Sequence, residues 1–204
     1  MQLVKQVETS IENSLFLLRN FLDPETCASL RQAAFISPTT KAPVYLHGSP
    51  DNVHENVRKT TSFHPPAETV TAIHERLSAQ KTALENHFGI SLTDCEPPQF
   101  LFYQPGDFFV RHQDGNTDQL DFDHLRIRRI SVVVFLNDSS EEPKENTFSG
   151  GLLNFYKNDS SSNELPAFSL LGEAGLMVAF SADTIHEVVP VTRGERFTII
   201  TWFR

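Results

Sequence analysis

His112 and Asp114 stand two residues apart in the run FLFYQPGDFFVRHQDG. On an extended chain, side chains two apart leave the same face, roughly 6 to 7 Å from each other along it, so an imidazole and a carboxylate there could share one ion. Such a pair is a weak signal by itself and needs a third ligand from elsewhere. His186 offers one, at the start of an apolar stretch in the C-terminal run GLMVAFSADTIHEVVPVTRGERFTIITWFR. Two imidazoles and one carboxylate on one face of a metal leave other positions open, which suits non-haem Fe(II) binding a bidentate cosubstrate and O2.

Arg196 lies ten residues beyond His186 and alternates with Thr198, Ile200 and Trp202. These four are expected on one strand face. A cation inside an apolar barrel needs an anion, and a fixed guanidinium matches a carboxylate bidentately. A small dicarboxylate could bridge from that fork to the metal. Arg193, in the preceding turn, is expected to be solvated. Trp202 and Phe135 read as core packing, and Tyr156 fits either the pocket or the sheet surface. Taken singly, His112, Asp114 and His186 would be ordinary hydrogen-bonded residues at a barrel edge; with Arg196 they form a constellation. The histidines at 47, 54, 64, 74, 87 and 124 share no ligand spacing and read as surface or capping residues, His87 suiting a helix C-terminus.

Several elements are needed to position this set. Asp23 can cap a helix that Pro24 opens, running from about 24 to 35. Val70, Ile73, Leu77, Leu84 and Phe88 recur at three-, four- and seven-residue steps, which predicts one amphipathic helix ended by Gly89. From residue 99 the chain turns to short β-branched and aromatic runs: 99–103, 108–113, 130–136, 152–156, 176–180, 185–191 and 197–203. Pro105-Gly106, Gly150-Gly151 and Arg193-Gly194 punctuate them as turns. Helices followed by strands predict an α+β sandwich or jelly roll. Residues 36–62, 138–146 and 158–164 read as surface loops, of the kind that serve as lids or simple connections.

Composition narrows the class. The 204 residues suit one domain, and 39% hydrophobic residues with 17 Phe can fill a large core. A net charge of -9 repels phosphate backbones, so no nucleic-acid partner is expected. Cys27 and Cys95 are too few for a disulfide scaffold and read as buried reduced thiols. No stretch approaches the roughly 20 apolar residues that span a bilayer, and the N-terminal run lacks the charge pattern of a signal peptide. A cytoplasmic protein with no membrane partner is the expectation.

The C-terminal half resembles the prolyl 4-hydroxylase-type branch of the iron(II) and 2-oxoglutarate-dependent oxygenases. The likeness covers residues 97 to 204 and rests on Tyr103 with Pro105-Gly106 before His112-Gln113-Asp114, the strand 129–137, Gly150-Gly151-Leu152, His186, Pro190-Val191, Gly194 and Arg196. It implies a double-stranded β-helix (jelly roll) with supporting N-terminal helices: residues 1–96 as a variable strand and helix support packed on the core, and 97–204 as the dioxygenase domain. It implies that His112, Asp114 and His186 hold Fe(II), and that Arg196 binds the distal carboxylate of 2-oxoglutarate. Tyr103 and Thr198 would line the cosubstrate pocket, and ascorbate would be a supporting reductant. Many animal prolyl 4-hydroxylases have Lys where this chain has Arg196, a difference of geometry more than of function.

The implied reaction is hydroxylation of a C–H bond by O2, with decarboxylation of 2-oxoglutarate to succinate and CO2. A prolyl residue of a peptide or protein leads as substrate, with a free amino acid or other small molecule as the alternative. Related halogenases replace the carboxylate ligand with a small residue, so Asp114 favours hydroxylation. Val57-Arg58-Lys59-Thr60 is similar to a substrate-side segment, and Arg128 stands where relatives contact substrate; solvated surface and a structural ion pair are the competing readings. A rival of another class is a non-catalytic jelly roll that binds a metal or ligand. Either a monomer or a homodimer is compatible with the sequence.

Overall fold

Asp23 caps the first helix, its side chain accepting from the Thr26 N–H at 2.8 Å, with Pro24 at the first helical position. The computed structural model describes residues 14–46, 49–52, 54–115, 123–157 and 165–204. In chain order, β1 (Phe16–Leu18) and α1 (Pro24–Ile36) precede β2 (Thr39–Lys41), β3 (Val44–Leu46), β4 (Ser49–Asn52), β5 (Arg58–Lys59) and β6 (Thr61–Phe63). Then come α2 (Ala67–Ser78), α3 (Lys81–Phe88), β7 (Gln99–Tyr103), β8 (Phe108–His112), α4 (Asp123–Arg126) and β9 (Ile130–Phe135). The C-terminal strands are β10 (Ser149–Gly150), β11 (Leu153–Phe155), β12 (Phe168–Leu170), β13 (Met177–Ser181), β14 (His186–Val188), β15 (Val191–Arg193) and β16 (Arg196–Phe203).

Two antiparallel sheets carry the fold. The larger has seven strands in the order β1-β13-β9-β16-β7-β6-β2, and the smaller has five, β12-β11-β14-β8-β5. Strand alternation sorts the larger sheet cleanly. Phe100, Ile130, Val132, Val134, Met177, Ala179, Phe197 and Ile199 face a core shared with Leu30 of α1, Ile73 and Leu77 of α2 and Leu84 of α3. Leu101, Tyr103, Val133, Phe135, Val178 and Phe180 face a second core with Leu153, Phe155 and Val188 of the smaller sheet. A sheet covered on both faces must be apolar on both, hence unbroken runs such as Val132 to Leu136. The N-terminal residues thus complete a core they share with the C-terminal half.

Three expectations need correction. The single helix over residues 70–88 is two, because the chain tightens at 79–80: the Gln80 N–H bonds the Leu77 carbonyl three residues back, at 2.9 Å. The apolar period survives the break, with Leu77 and Leu84 both fully buried. Residues 36–62 are not simple loops, since β6 pairs with β7 and β2 with β6 to extend the larger sheet. The predicted strand 185–191 is divided between β14 and β15, which lie in different sheets on either side of Val189 and Pro190. Residues 158–164 fall outside the described residues. Cys27 and Cys95 are separate buried thiols, as expected. Among the described residues, no helix is long and apolar enough to cross a membrane.

Candidate metal and cosubstrate site

His112 ends β8 and His186 opens β14, and pairing of these strands sets the two residues opposite each other. The next register pair is Val188 with Phe109, so three residues of β8 span two of β14. This bulge reverses the local alternation and turns Phe109, instead of Val110, onto the face of His112. The Phe109 ring stacks on the His112 imidazole with centroids 3.5 Å apart, while the Phe180 ring meets His186 edge-on at 4.8 Å. Aromatic walls therefore flank both imidazoles.

Asp114 arrives by a route that strand alternation does not describe. β8 stops at His112, and the Asp114 and Gly115 N–H groups both donate to the Ala182 carbonyl, at 2.9 and 3.0 Å, tying the loop to the end of β13. The carboxylate then lies with Oδ1 3.4 Å from His112 Nε2 and Oδ2 3.6 Å from His186 Nε2. One ligand atom from each of the three residues lies within 4.8 Å of the others. A Cβ at Gly115 would stand 2.5 Å from the Leu125 carbonyl oxygen, so this loop passes where only glycine fits. Gly115→Ala should lower stability by about 1 to 3 kcal/mol and weaken metal binding together, read by thermal unfolding and by metal titration. A variant that binds metal normally would uncouple that loop from the site.

Hydrogen bonds fix which nitrogens are available. His112 Nδ1 lies 2.7 Å from the Val110 carbonyl and His186 Nδ1 2.9 Å from the Thr184 carbonyl. Because a carbonyl only accepts, both Nδ1 atoms carry the proton and both Nε2 lone pairs point inward, the usual preparation of metal-binding imidazoles. Burial, reinforced by the neighbouring His112, pushes the His186 pKa down to about 4 against the opposing pull of Asp114 and the Thr184 carbonyl. His186 is therefore neutral at physiological pH and free to ligate. Burial disfavours the charged form of Asp114, but His186, His112 and a hydrogen bond from Trp202 outweigh it and hold the carboxyl far below its usual range. A neutral imidazole beside a permanent carboxylate is a donor set for a borderline divalent cation such as Fe(II).

Arg196 begins β16 on the inward face, 1% exposed and paired across the ladder with Tyr103. Its guanidinium lies 5.0 Å from the ring centres of both Tyr103 and Phe135, and Nη1 reaches toward Thr198 Oγ1 at 3.5 Å. Nε is buried without a hydrogen-bond partner among the described residues. Burial pushes the pKa down to about 10, and the only charge effect that opposes it comes from Tyr103. A cation so enclosed, with an orphaned donor, fits an incoming carboxylate. Gly151 makes room for it: a Cβ there would stand 2.9 Å from Arg196 Cδ. Thr198, Ile200 and Trp202 follow at alternate positions, so one strand face runs from the guanidinium to the residues around Asp114.

The chain matches the 2OG-Fe(II) oxygenase superfamily over residues 98–204. It belongs to that superfamily. Iron(II), 2-oxoglutarate and O2 are the reactants the family uses, and the donor set and the orphaned guanidinium described above fit the first two. Among curated relatives of this chain is a PKHD-type hydroxylase of Pseudoalteromonas atlantica, 30% identical over 107 residues, or 52% of this chain and 42% of that protein. Another PKHD-type hydroxylase, from Sphingopyxis alaskensis, is 26% identical over 165 residues, 78% of this chain and 67% of the relative. The chain thus spans less than half the length of the first of these. In fold it is similar to a Pseudomonas putida prolyl-4-hydroxylase, with TM-score 0.66, 23% identity and 98% of each chain covered. A prolyl hydroxylase of Trichoplax adhaerens, solved with a hypoxia inducible factor peptide fragment, gives TM-score 0.66 at 18% identity, covering 99% of this chain and 89% of that one.

Arg193 departs from expectation, and the alternatives left open at Arg128 and Tyr156 are resolved. Arg193 is not simply solvated: its Nη2 donates to the Ser140 and Glu142 carbonyls and to Ser149 Oγ, stapling the segment after β9. Arg128 forms the structural ion pair, with Nε and Nη2 on the two carboxylate oxygens of Glu96 at 2.9 and 2.7 Å. Tyr156 is buried and donates to Glu187, while Arg111 covers its ring at 3.6 Å, so it serves the sheet surface. Of the remaining histidines, His74 bonds the Cys95 carbonyl at 2.8 Å and His87 packs against Phe16 and Phe88. Ser131, whose hydroxyl donates to Asp114 Oδ2 at 2.7 Å, lies outside the expected set; its one signal in the sequence is a hydroxyl inside the otherwise apolar run ISVVVF.

Proposed function

We propose that this oxygenase is an Fe(II)- and 2-oxoglutarate-dependent dioxygenase that hydroxylates an unactivated C–H bond, with a prolyl residue of a peptide or protein as substrate. It would do so on a double-stranded β-helix of residues 97–204, with residues 1–96 as support. The observation that carries this reading is the convergence of two inward Nε2 lone pairs and one carboxylate within 4.8 Å. When bound, iron and 2-oxoglutarate supply oxidation of the C–H bond by O2, coupled to release of succinate and CO2.

The chain contributes ligation, orientation and exclusion of water. His112, Asp114 and His186 hold the metal, and Arg196 takes the distal carboxylate of 2-oxoglutarate beside Thr198 and Tyr103. The reaction asks no separate acid or base of the protein. The prolyl class is supported by likeness of fold to a prolyl-4-hydroxylase and to a prolyl hydroxylase solved with a peptide.

Arg58 supports a substrate that brings hydrogen-bond acceptors. Its Nη1 donates to the Pro43 carbonyl at 3.2 Å, but Nε and Nη2 are buried and have no hydrogen-bond partner among the described residues. The guanidinium lies 4.9 Å from the centre of Phe109, the ring that stacks on His112. Two donors one ring away from the metal ligands suit a carbonyl or carboxylate next to the reacting carbon. Arg58→Ala should raise the substrate KM by roughly tenfold or more with the 2-oxoglutarate requirement unchanged; equal effects on both would assign Arg58 to structure alone.

The deciding experiment is anaerobic reconstitution with Fe(II) and 2-oxoglutarate, then exposure to O2 with prolyl peptides, free amino acids and a cell extract. A mass gain of one oxygen on a peptide, matched by succinate, is the expected result. A gain on a free amino acid moves the substrate class. Absence of 2-oxoglutarate binding and of turnover with every substrate would leave the chain a non-catalytic member of its family.

A further inference from the structure

Asp114 is gripped by residues that are neither metal ligands nor cosubstrate contacts. Ser131 Oγ donates to Asp114 Oδ2 at 2.7 Å, and the Trp202 indole, opposite Ser131 in the ladder, helps to hold the same carboxyl in its charged form. The two residues face each other across the β9 and β16 ladder, both buried. Behind the indole lies Arg128, its guanidinium 3.6 Å from the ring centre. Arg128 is itself fixed by its two-pronged contact with Glu96, to which Arg204 Nε adds a third contact at 3.3 Å. Glu96 thus fixes Arg128, and Arg128 backs the indole that stands opposite Ser131.

A carboxylate rotates about χ2 in a broad, roughly two-fold well. The Ser131 hydroxyl holds one oxygen, and the indole packed opposite Ser131 in the same register limits the rotation that remains. The stacked guanidinium in turn fixes the plane of the indole, and so the direction of its N–H. With Ser131 engaging Oδ2, Oδ1 stays turned toward His112 Nε2.

We infer that Ser131 and Trp202 are positioning residues that hold Asp114 in its ligating orientation, with Arg128 and Glu96 clamping the indole. This rests on the reading of His112, Asp114 and His186 as metal ligands. Outer partners of ligating groups are typically worth 10- to 100-fold in metal affinity, and that is the effect expected here. Trp202 is the chain's one tryptophan, so its emission reports on this carboxylate without any added label.

The test is titration of metal-free protein with Co(II) under nitrogen, followed by visible absorption and tryptophan emission, with thermal unfolding of the metal-free form alongside. In the wild type, emission should change in step with binding of one Co(II). Ser131→Ala and Trp202→Phe should each weaken Co(II) binding by about 10- to 100-fold and alter the intensity of its visible bands. Metal-free Ser131→Ala should unfold close to the wild type. If Trp202→Phe does not fold, Ser131→Ala decides. Wild-type affinity and spectrum in the folded variants, with His112→Ala losing Co(II), would overturn the positioning role and leave the metal site standing. Co(II) binding to His112→Ala as tightly as to the wild type would instead remove the metal site on which the inference depends.

Discussion

His112→Ala should abolish Fe(II)-dependent turnover of 2-oxoglutarate and weaken metal binding by more than the roughly 10- to 100-fold that loss of an outer partner costs. The site is expected to have three protein ligands, and two remaining groups cannot form a closed face around an ion that must also accept cosubstrate. His112 is the better choice than His186 because its side chain is 17% exposed at the end of a strand, against 6% for His186 among Phe155, Phe180 and His112. Truncation there removes one face of a stack on Phe109 without emptying a closed core. Thermal unfolding of metal-free protein should change little, while metal titration and succinate release change greatly. Normal turnover by a folded His112→Ala protein would remove it from the site.

Arg196→Met should separate function from stability, with opposite signs. At neutral pH the guanidinium is charged both folded and unfolded, since both pKa values lie well above 7; the folded value is depressed to about 10 because burial penalises the charge. The metal-free, cosubstrate-free fold therefore bears an uncompensated buried cation, and an apolar side chain of similar length relieves it. The variant is expected to unfold at a higher temperature than the wild type when no cosubstrate is present. It should also bind 2-oxoglutarate roughly 10- to 150-fold more weakly, the equivalent of about 1.5 to 3 kcal/mol for a charge-assisted contact. Metal affinity should be nearly unchanged, because Arg196 makes no contact with the triad's hydrogen-bond partners. An unaltered 2-oxoglutarate titration would pass the role to another cation.

Stabilisation by Arg196→Met with loss of cosubstrate binding is the signature of a residue retained for its ligand. The same logic separates the arginines from one another. Arg128 and Arg193 have every sign of structural service, in the fork on Glu96 and in three contacts to the segment after β9. Arg58 and Arg196 keep orphaned, buried nitrogens. Unmet donors in a closed interior cost free energy unless something arrives to meet them.

The amino-acid sequence by itself determined the strands near 99–103, 108–113, 130–136, 152–156, 176–180 and 197–203, the capped first helix and which residues are the three candidate ligands and Arg196. Apolar alternation, a Pro and Asp at a helix start, and His, Asp and Arg at strand ends are local signals, and local geometry follows from them. It could not reveal the break at 79–80, where the apolar period of seven continues through two helices because both bury the same side. Nor could it reveal that Asp114 reaches His112 through a loop pinned to Ala182, or that a bulge in β8 brings Phe109 onto the imidazole. Only tertiary structure decided those, and only it brought Ser131 onto Asp114 and linked Trp202 to Glu96 through Arg128. Contacts between residues 17 to 105 positions apart depend on how sheets pair and pack, and a chain read one neighbourhood at a time carries no measure of that distance.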